Sequence, residues 1–147
     1  MNNNLKDSVS KTIKSYFANK PQVCAVYLFG SIAKGLSRVN SDIDLGILYS
    51  AGLSSLERFE IRLEITNDLE ELLGQRVDIV DMESADLFFL HQLMLNKQLL
   101  VDHDQRRRVV FEIAKRRDYF DRKRYYKEYH GQALKRLEMM RSKHNHG

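Results

Sequence analysis

Tryptophan is absent from this chain of 147 residues, and proline and cysteine occur once each. A lone cysteine excludes an internal disulfide, and Cys24 lies within an apolar run, which assigns it to the core rather than to nucleophilic chemistry. No apolar stretch approaches the ~18 residues of a membrane span, and the opening Met-Asn-Asn-Asn-Leu-Lys-Asp lacks the apolar segment of a signal peptide. The expectation is therefore a cytoplasmic protein with no membrane attachment. The five histidines show no ligand spacing with cysteine or acid, so no zinc site is assigned.

Hydrophobic residues at 43% and charged residues at 30% suit an ordinary globular domain, of a length that holds one core. The net charge of +4 conceals a division. Residues 1–103 carry ten Lys/Arg against fourteen Asp/Glu, whereas residues 104–147 carry fourteen against six. An acidic body thus bears a basic tail, and such asymmetry points to something acidic for the tail to meet.

Apolar periodicity divides the chain into elements. Leu5, Val9, Ile13, Tyr16 and Phe17 predict an amphipathic helix over 4–19, ended by Pro21. Val23 to Phe29 is a buried strand stopped by Gly30, and Asp42 to Tyr49 is a second strand after a Gly/Ser-rich loop. Ser54 or Ser55 caps a helix to Leu73 with apolar positions Leu56, Phe59, Leu63, Leu69 and Leu73, and Gly74 is its stop. A strand over 75–82, a helix over 84–96 and a short edge strand at Leu99-Leu100-Val101 follow. From Asp104 the pattern is helical, either one long bent helix or two shorter ones parted at Gly131. Val109, Ile113 and Phe120 form one stripe; Tyr126, Tyr129, Ala133, Leu137 and Met140 form another. The expected fold is α+β, a small mixed sheet with helices packed on it. A core domain over 1–103 is followed by a basic helical extension over 104–147.

The chemistry concentrates at Asp42 and Asp44. Two residues apart on a strand, their carboxylates share one face, while Ile43, Leu45 and Ile47 turn to the core. Unpaired like charges beside a core are costly, and a divalent cation relieves them. All-oxygen ligands suit Mg²⁺, which typically takes one or two carboxylates together with substrate phosphates. A phosphate seat is available at Gly30-Ser31, where glycine permits close backbone approach and a helix opening over 31–34 would aim its N–H groups at an anion. Lys34 and Arg38 are candidate phosphate contacts, with solvated loop residues as the alternative. A third carboxylate would complete a two-metal site. Asp78 and Asp81, three apart on a strand, face opposite ways, so only one can join. Asp78 is mid-strand and is the choice; Asp81 fits a helix cap or surface charge.

Gly30-Ser31, ten residues, then Asp42-Ile43-Asp44 resembles the defining motif of the DNA polymerase β-like nucleotidyltransferases. The string Gly-Ser-Ile-Ala-Lys-Gly-Leu-Ser-Arg-Val-Asn-Ser-Asp-Ile-Asp-Leu is similar to that of the minimal nucleotidyltransferase (MNT) antitoxins of the MntA type. The resemblance covers residues 20–103. It implies that Gly30 and Ser31 bind the triphosphate of ATP, and that Asp42, Asp44 and Asp78 hold two Mg²⁺ ions. It also implies a HEPN-family toxin, an RNase, as partner in a hetero-oligomer. AMP would pass from ATP to a toxin tyrosine, release pyrophosphate and silence the toxin.

Larger relatives add a second domain for the acceptor. The 44 residues left here are too few to enclose a small molecule, which favours an acceptor carried by another macromolecule. Two alternatives stand: neutralisation by binding alone, and a stand-alone transferase for a small molecule or RNA end. The basic clusters Arg106-Arg107-Arg108, Lys115-Arg116-Arg117 and Arg122-Lys123-Arg124 are solvated faces or a contact surface. The interleaved Tyr119, Tyr125, Tyr126 and Tyr129 suit a protein interface better than RNA bases, though direct nucleic-acid binding stays open.

Overall fold

The computed structural model describes residues 2–30 and 42–145, with side chains from 4 to 30 and 42 to 142. Helix α1 (Asn2–Phe17) buries Val9, Ile13 and Phe17, the i, i+4, i+8 row that its sequence predicts. Strand β1 (Val23–Phe29) is buried at all seven positions, because it is an inner strand covered on both faces. Strand β2 (Ile43–Tyr49) pairs antiparallel with β1. Helix α2 (Ser55–Leu73) then carries the chain over to β3 (Val77–Asp81), which pairs parallel with β2. Helix α3 (Leu87–Leu95), edge strand β4 (Gln98–Asp102) and helix α4 (Gln105–Asn145) complete the order. The sheet runs β3-β2-β1-β4, with β4 antiparallel to β1. It is the mixed sheet of an α+β fold.

Two apolar layers sandwich the sheet. On one face, α1 and α2 pack on Val26, Leu28, Ile43, Leu45 and Ile47. On the other, Tyr27, Phe29, Leu48, Met82 and Leu90 form a smaller cluster, with Leu93, Met94 and Phe111 closing it. The chain ends of α2 follow local chemistry. The Ser54 hydroxyl accepts from the Glu57 amide at 3.1 Å, and Gly74, at φ 64°, turns its N–H back to Glu70 O at 2.9 Å.

At three places the structure decides what periodicity leaves open or sets differently. Helix α2 does not bury its apolar positions as one set. Ile65 and Leu69 face the sheet with Ile61 and Leu73 beside them, whereas Leu56, Phe59 and Leu63 lie exposed on the outer side. Helix α3 starts at Leu87 rather than Ser84, because the Asp86 carboxylate caps the Phe89 amide at 3.2 Å and the amides of Ser84 and Ala85 turn back to Asp81 O. The basic tail is one continuous helix, with Gly131 inside it. Asp104 caps its start through the Arg107 amide at 3.1 Å. Its early turns pack on α3 and β1, and Tyr119 is buried, yet Ile113 and Phe120 of the first expected stripe are exposed. Of the second stripe, Tyr126, Tyr129, Leu137 and Met140 are all at least 57% exposed, and Tyr126 meets the ring of Phe88 edge-on with centroids 6.4 Å apart. No helix of the described chain is long and apolar enough to cross a membrane.

Candidate functional site

Strand β1 delivers its last residue, Phe29, opposite Asp44 on β2. The next residue, Gly30, has φ 74°, a conformation that side chains other than glycine rarely adopt. A Cβ built there would fall on the Asp44 carboxylate, so glycine is required twice over: for the turn and for close approach of the acid. Gly46, two residues further along β2, leaves room for the Phe29 ring and the Met82 sulfur. That packing forms an apolar floor beyond Asp44 on its own face of the sheet. Gly46 was not singled out from the sequence, although a glycine inside an apolar strand is a signal of close packing.

The parallel ladder of β2 and β3 sets Asp44 directly beside Asp78. Adjacent strands lie about 4.8 Å apart, so the two carboxylates are neighbours on one face. Asp42 stands exposed just before β2, and Asp44 is half-buried. Burial holds the Asp44 carboxyl above the ordinary carboxylate range, and the negative charges of Asp78 and then Asp42 push it further. Three acids therefore share one electrostatic site at the mouth of the β1–β2–β3 sheet, with Asp42 just ahead of β2 rather than inside it. Among the described residues, no three His, Cys, Asp or Glu side chains already converge on one point as a closed metal cage. The donor set is nevertheless all carboxylate oxygen and mutually repelling, the chemistry that fits a hard divalent cation. Ser31, Lys34 and Arg38, the other candidates for triphosphate binding, lie outside the described residues.

Asp81 is placed elsewhere. It sits opposite Ile47 in the ladder, accepts from Arg58 Nε at 2.8 Å and caps the Glu83 amide at 3.1 Å. The network continues from Arg58 to Glu83 at 3.4 Å, and Glu83 also pairs with Arg107, whose guanidinium reaches Tyr49 O at 2.9 Å. This network joins α2, the β3–α3 turn and α4, and periodicity gave no sign of it. Cys24 is buried, its thiol is pushed up chiefly by burial, and its Sγ lies 3.4 Å from Asp104 O. It is a core residue, as its apolar neighbours in sequence suggest.

Residues 11–106, well over half of the chain, match the family described as polymerase beta, nucleotidyltransferase. The chain is 34% identical over 91 residues to the protein adenylyltransferase MntA of Shewanella oneidensis. That match spans 61% of this chain and 63% of the relative's length. A toxin–antitoxin crystal structure with AMP-PNP superposes with a TM-score of 0.61 at 29% identity, covering 77% of this chain and 87% of that one. The tri-AMPylated Shewanella oneidensis HEPN toxin in complex with its MNT antitoxin gives a TM-score of 0.56 at 26% identity, covering 82% and 88%. With the family match spanning well over half of its length, this chain belongs to the polymerase β nucleotidyltransferase family.

Proposed function

We propose that this chain is an adenylyltransferase antitoxin that transfers AMP from ATP to a tyrosine of a cognate HEPN toxin and so silences it. The observation that carries this reading is the placement of Asp44 beside Asp78, within the field of Asp42 and against Gly30. The similar MntA protein and the toxin–antitoxin complexes support the donor and the partner.

Asp42, Asp44 and Asp78 are the residues that would hold Mg²⁺. When bound, the metal supplies positive charge for the triphosphate and makes the acceptor hydroxyl more acidic. Gly30, just after β1, carries no side chain to shield its backbone amide, which is the proposed phosphate contact. Ser31 and Lys34 follow as candidate phosphate contacts. A tyrosine hydroxyl, with a pKa of about 10, is a weak nucleophile near neutrality. Asp78 is exposed at the mouth of the sheet and serves as the base that takes its proton. The tyrosine oxygen forms a bond to the α-phosphorus, the bond from that phosphorus to the bridging oxygen breaks, and pyrophosphate leaves with the electron pair.

The test is incubation of the chain with its cognate HEPN protein, Mg²⁺ and each nucleoside triphosphate in turn, followed by intact mass measurement. The expected result is a gain of whole AMP units on the toxin with ATP, lost in Asp42→Asn. No gain with any nucleotide would sink the proposal. Toxin neutralisation that survives Asp42→Asn and Asp44→Asn without AMP transfer would instead support inhibition by binding alone.

A further inference from the structure

Two exposed apolar stripes on this chain match each other in chemistry and cannot meet within one molecule. The first is the outer face of α2. Leu56, Phe59 and Leu63 are 64%, 46% and 48% exposed, at i, i+3, i+7 spacing over about 10 Å of helix. Helix α2 carries six Asp/Glu against two Arg, and Arg58 is already engaged by Asp81. Glu60, Glu64 and Glu71 flank the stripe and are exposed.

The second stripe is the far half of α4. Tyr126, Tyr129, Leu137 and Met140 are 57%, 60%, 59% and 69% exposed and continue the face that Tyr119 buries further back. Residues 121–145 carry eight Lys/Arg against three Asp/Glu. Lys123, Lys127, Arg136 and Arg141 lie along its flanks. A polar helix this long is stabilised by packing, and here Tyr126 meets the Phe88 ring edge-on while Tyr129, Leu137 and Met140 further along the same face are at least 59% exposed.

Helix α2 lies on the opposite side of the sheet from α3 and the packed half of α4. A continuous 41-residue helix, about 60 Å long, does not fold back on itself to reach α2. Pairing of two α4 tails would bring like charges together. Pairing an α4 tail with the α2 face of another copy sets base against acid and apolar against apolar. By two-fold symmetry the same contact forms twice, which doubles the area buried.

We infer that the chain self-associates as a reciprocal dimer, the projecting half of α4 from each copy crossing the outer face of α2 on the other. The inference is independent of nucleotide transfer, so its test contains neither toxin nor ATP in the first arm. Sedimentation velocity over a concentration series should give twice the 17.3 kDa of one chain. Phe59→Asp and Leu137→Asp should each weaken the dimer roughly tenfold or more while far-UV circular dichroism and the thermal midpoint of the monomer are retained.

Charge reversal tests the pairing itself. Glu60→Lys with Glu71→Lys, or Lys127→Glu with Arg141→Glu, should each weaken association, and mixing the two variants should restore a heterodimer through one repaired contact. A monomer at every concentration, a dimer indifferent to these changes, or failure of the mixed variants to associate would overturn the inference. So would a second arm in which the wild-type chain associates only when the cognate toxin is added, since the α4 stripe would then belong to the toxin.

Discussion

At Asp44 a carboxylate is half-buried against Gly30, with Asp78 at its side and Asp42 nearby, and nothing in the described chain neutralises it. Such a residue works against the fold until a cation arrives. Asp44→Asn should therefore leave the metal-free protein at least as stable as wild type in urea denaturation, while lowering AMP transfer by about 10²-fold or more. At Asp81 the same functional group has the reverse duty. It holds Arg58 and an amide of the β3–α3 turn, so Asp81→Asn should cost about 2 kcal/mol of stability, read by the same denaturation. Strand parity turns these two acids to opposite faces, because side-chain direction on a strand is local geometry. Gly30→Ala should impair both properties, since a methyl group meets the Asp44 carboxylate and the φ of 74° is strained for alanine. A fall in both the thermal midpoint and transfer rate is the expected outcome.

Among the elements, α4 is fastened to the sheet by a charged clamp. Glu112 accepts from Tyr27 Oη at 2.6 Å and from Lys97 Nζ at 2.9 Å, and pairs with Arg108 at 3.2 Å. Burial alone would raise its carboxyl pKa, but the hydrogen bonds from Tyr27 and Lys97 and the charges of Lys97 and Arg108 outweigh this and hold it below the ordinary range. A depressed folded pKa means that the stabilisation is complete above an unfolded glutamate's pKa, about 4.3, and is lost as pH falls through the folded value. Glu112→Gln should thus be less stable than wild type at neutral pH by about 1 kcal/mol, with the gap closing below about pH 4. Denaturation at pH 7 and at acid pH measures it. The caps of α2 were legible because Ser54 and Gly74 act on adjacent amides. Its buried face was not, because α2 carries two apolar arcs and only the sheet decides which one is covered.

Across the whole molecule, stability is unevenly distributed. The inner strands β1 and β2 are buried on both faces, whereas residues 121–142 of α4 are mostly exposed. Amide exchange at dilution should accordingly be slowest in β1 and β2 and fastest beyond residue 121. If two copies join as inferred, that contrast shrinks as concentration rises, because association protects what the single chain leaves bare. The basic charge of the tail was plain in the sequence, and so was its helical period. That its far stripe lies beyond the body depends on where the sheet ends, which no local pattern records.

The sequence by itself determined the order of the elements, the caps of α2 and the close pair Asp42 and Asp44, because periodicity, glycine and side-chain alternation act over a few residues. Only the tertiary structure brought Asp78 beside Asp44, since strand order and register arise from packing across distant segments. It also decided that Leu56, Phe59 and Leu63 face outward and that α4 outruns its support. Burial is a property of what lies opposite a residue, and what lies opposite is set by the whole chain.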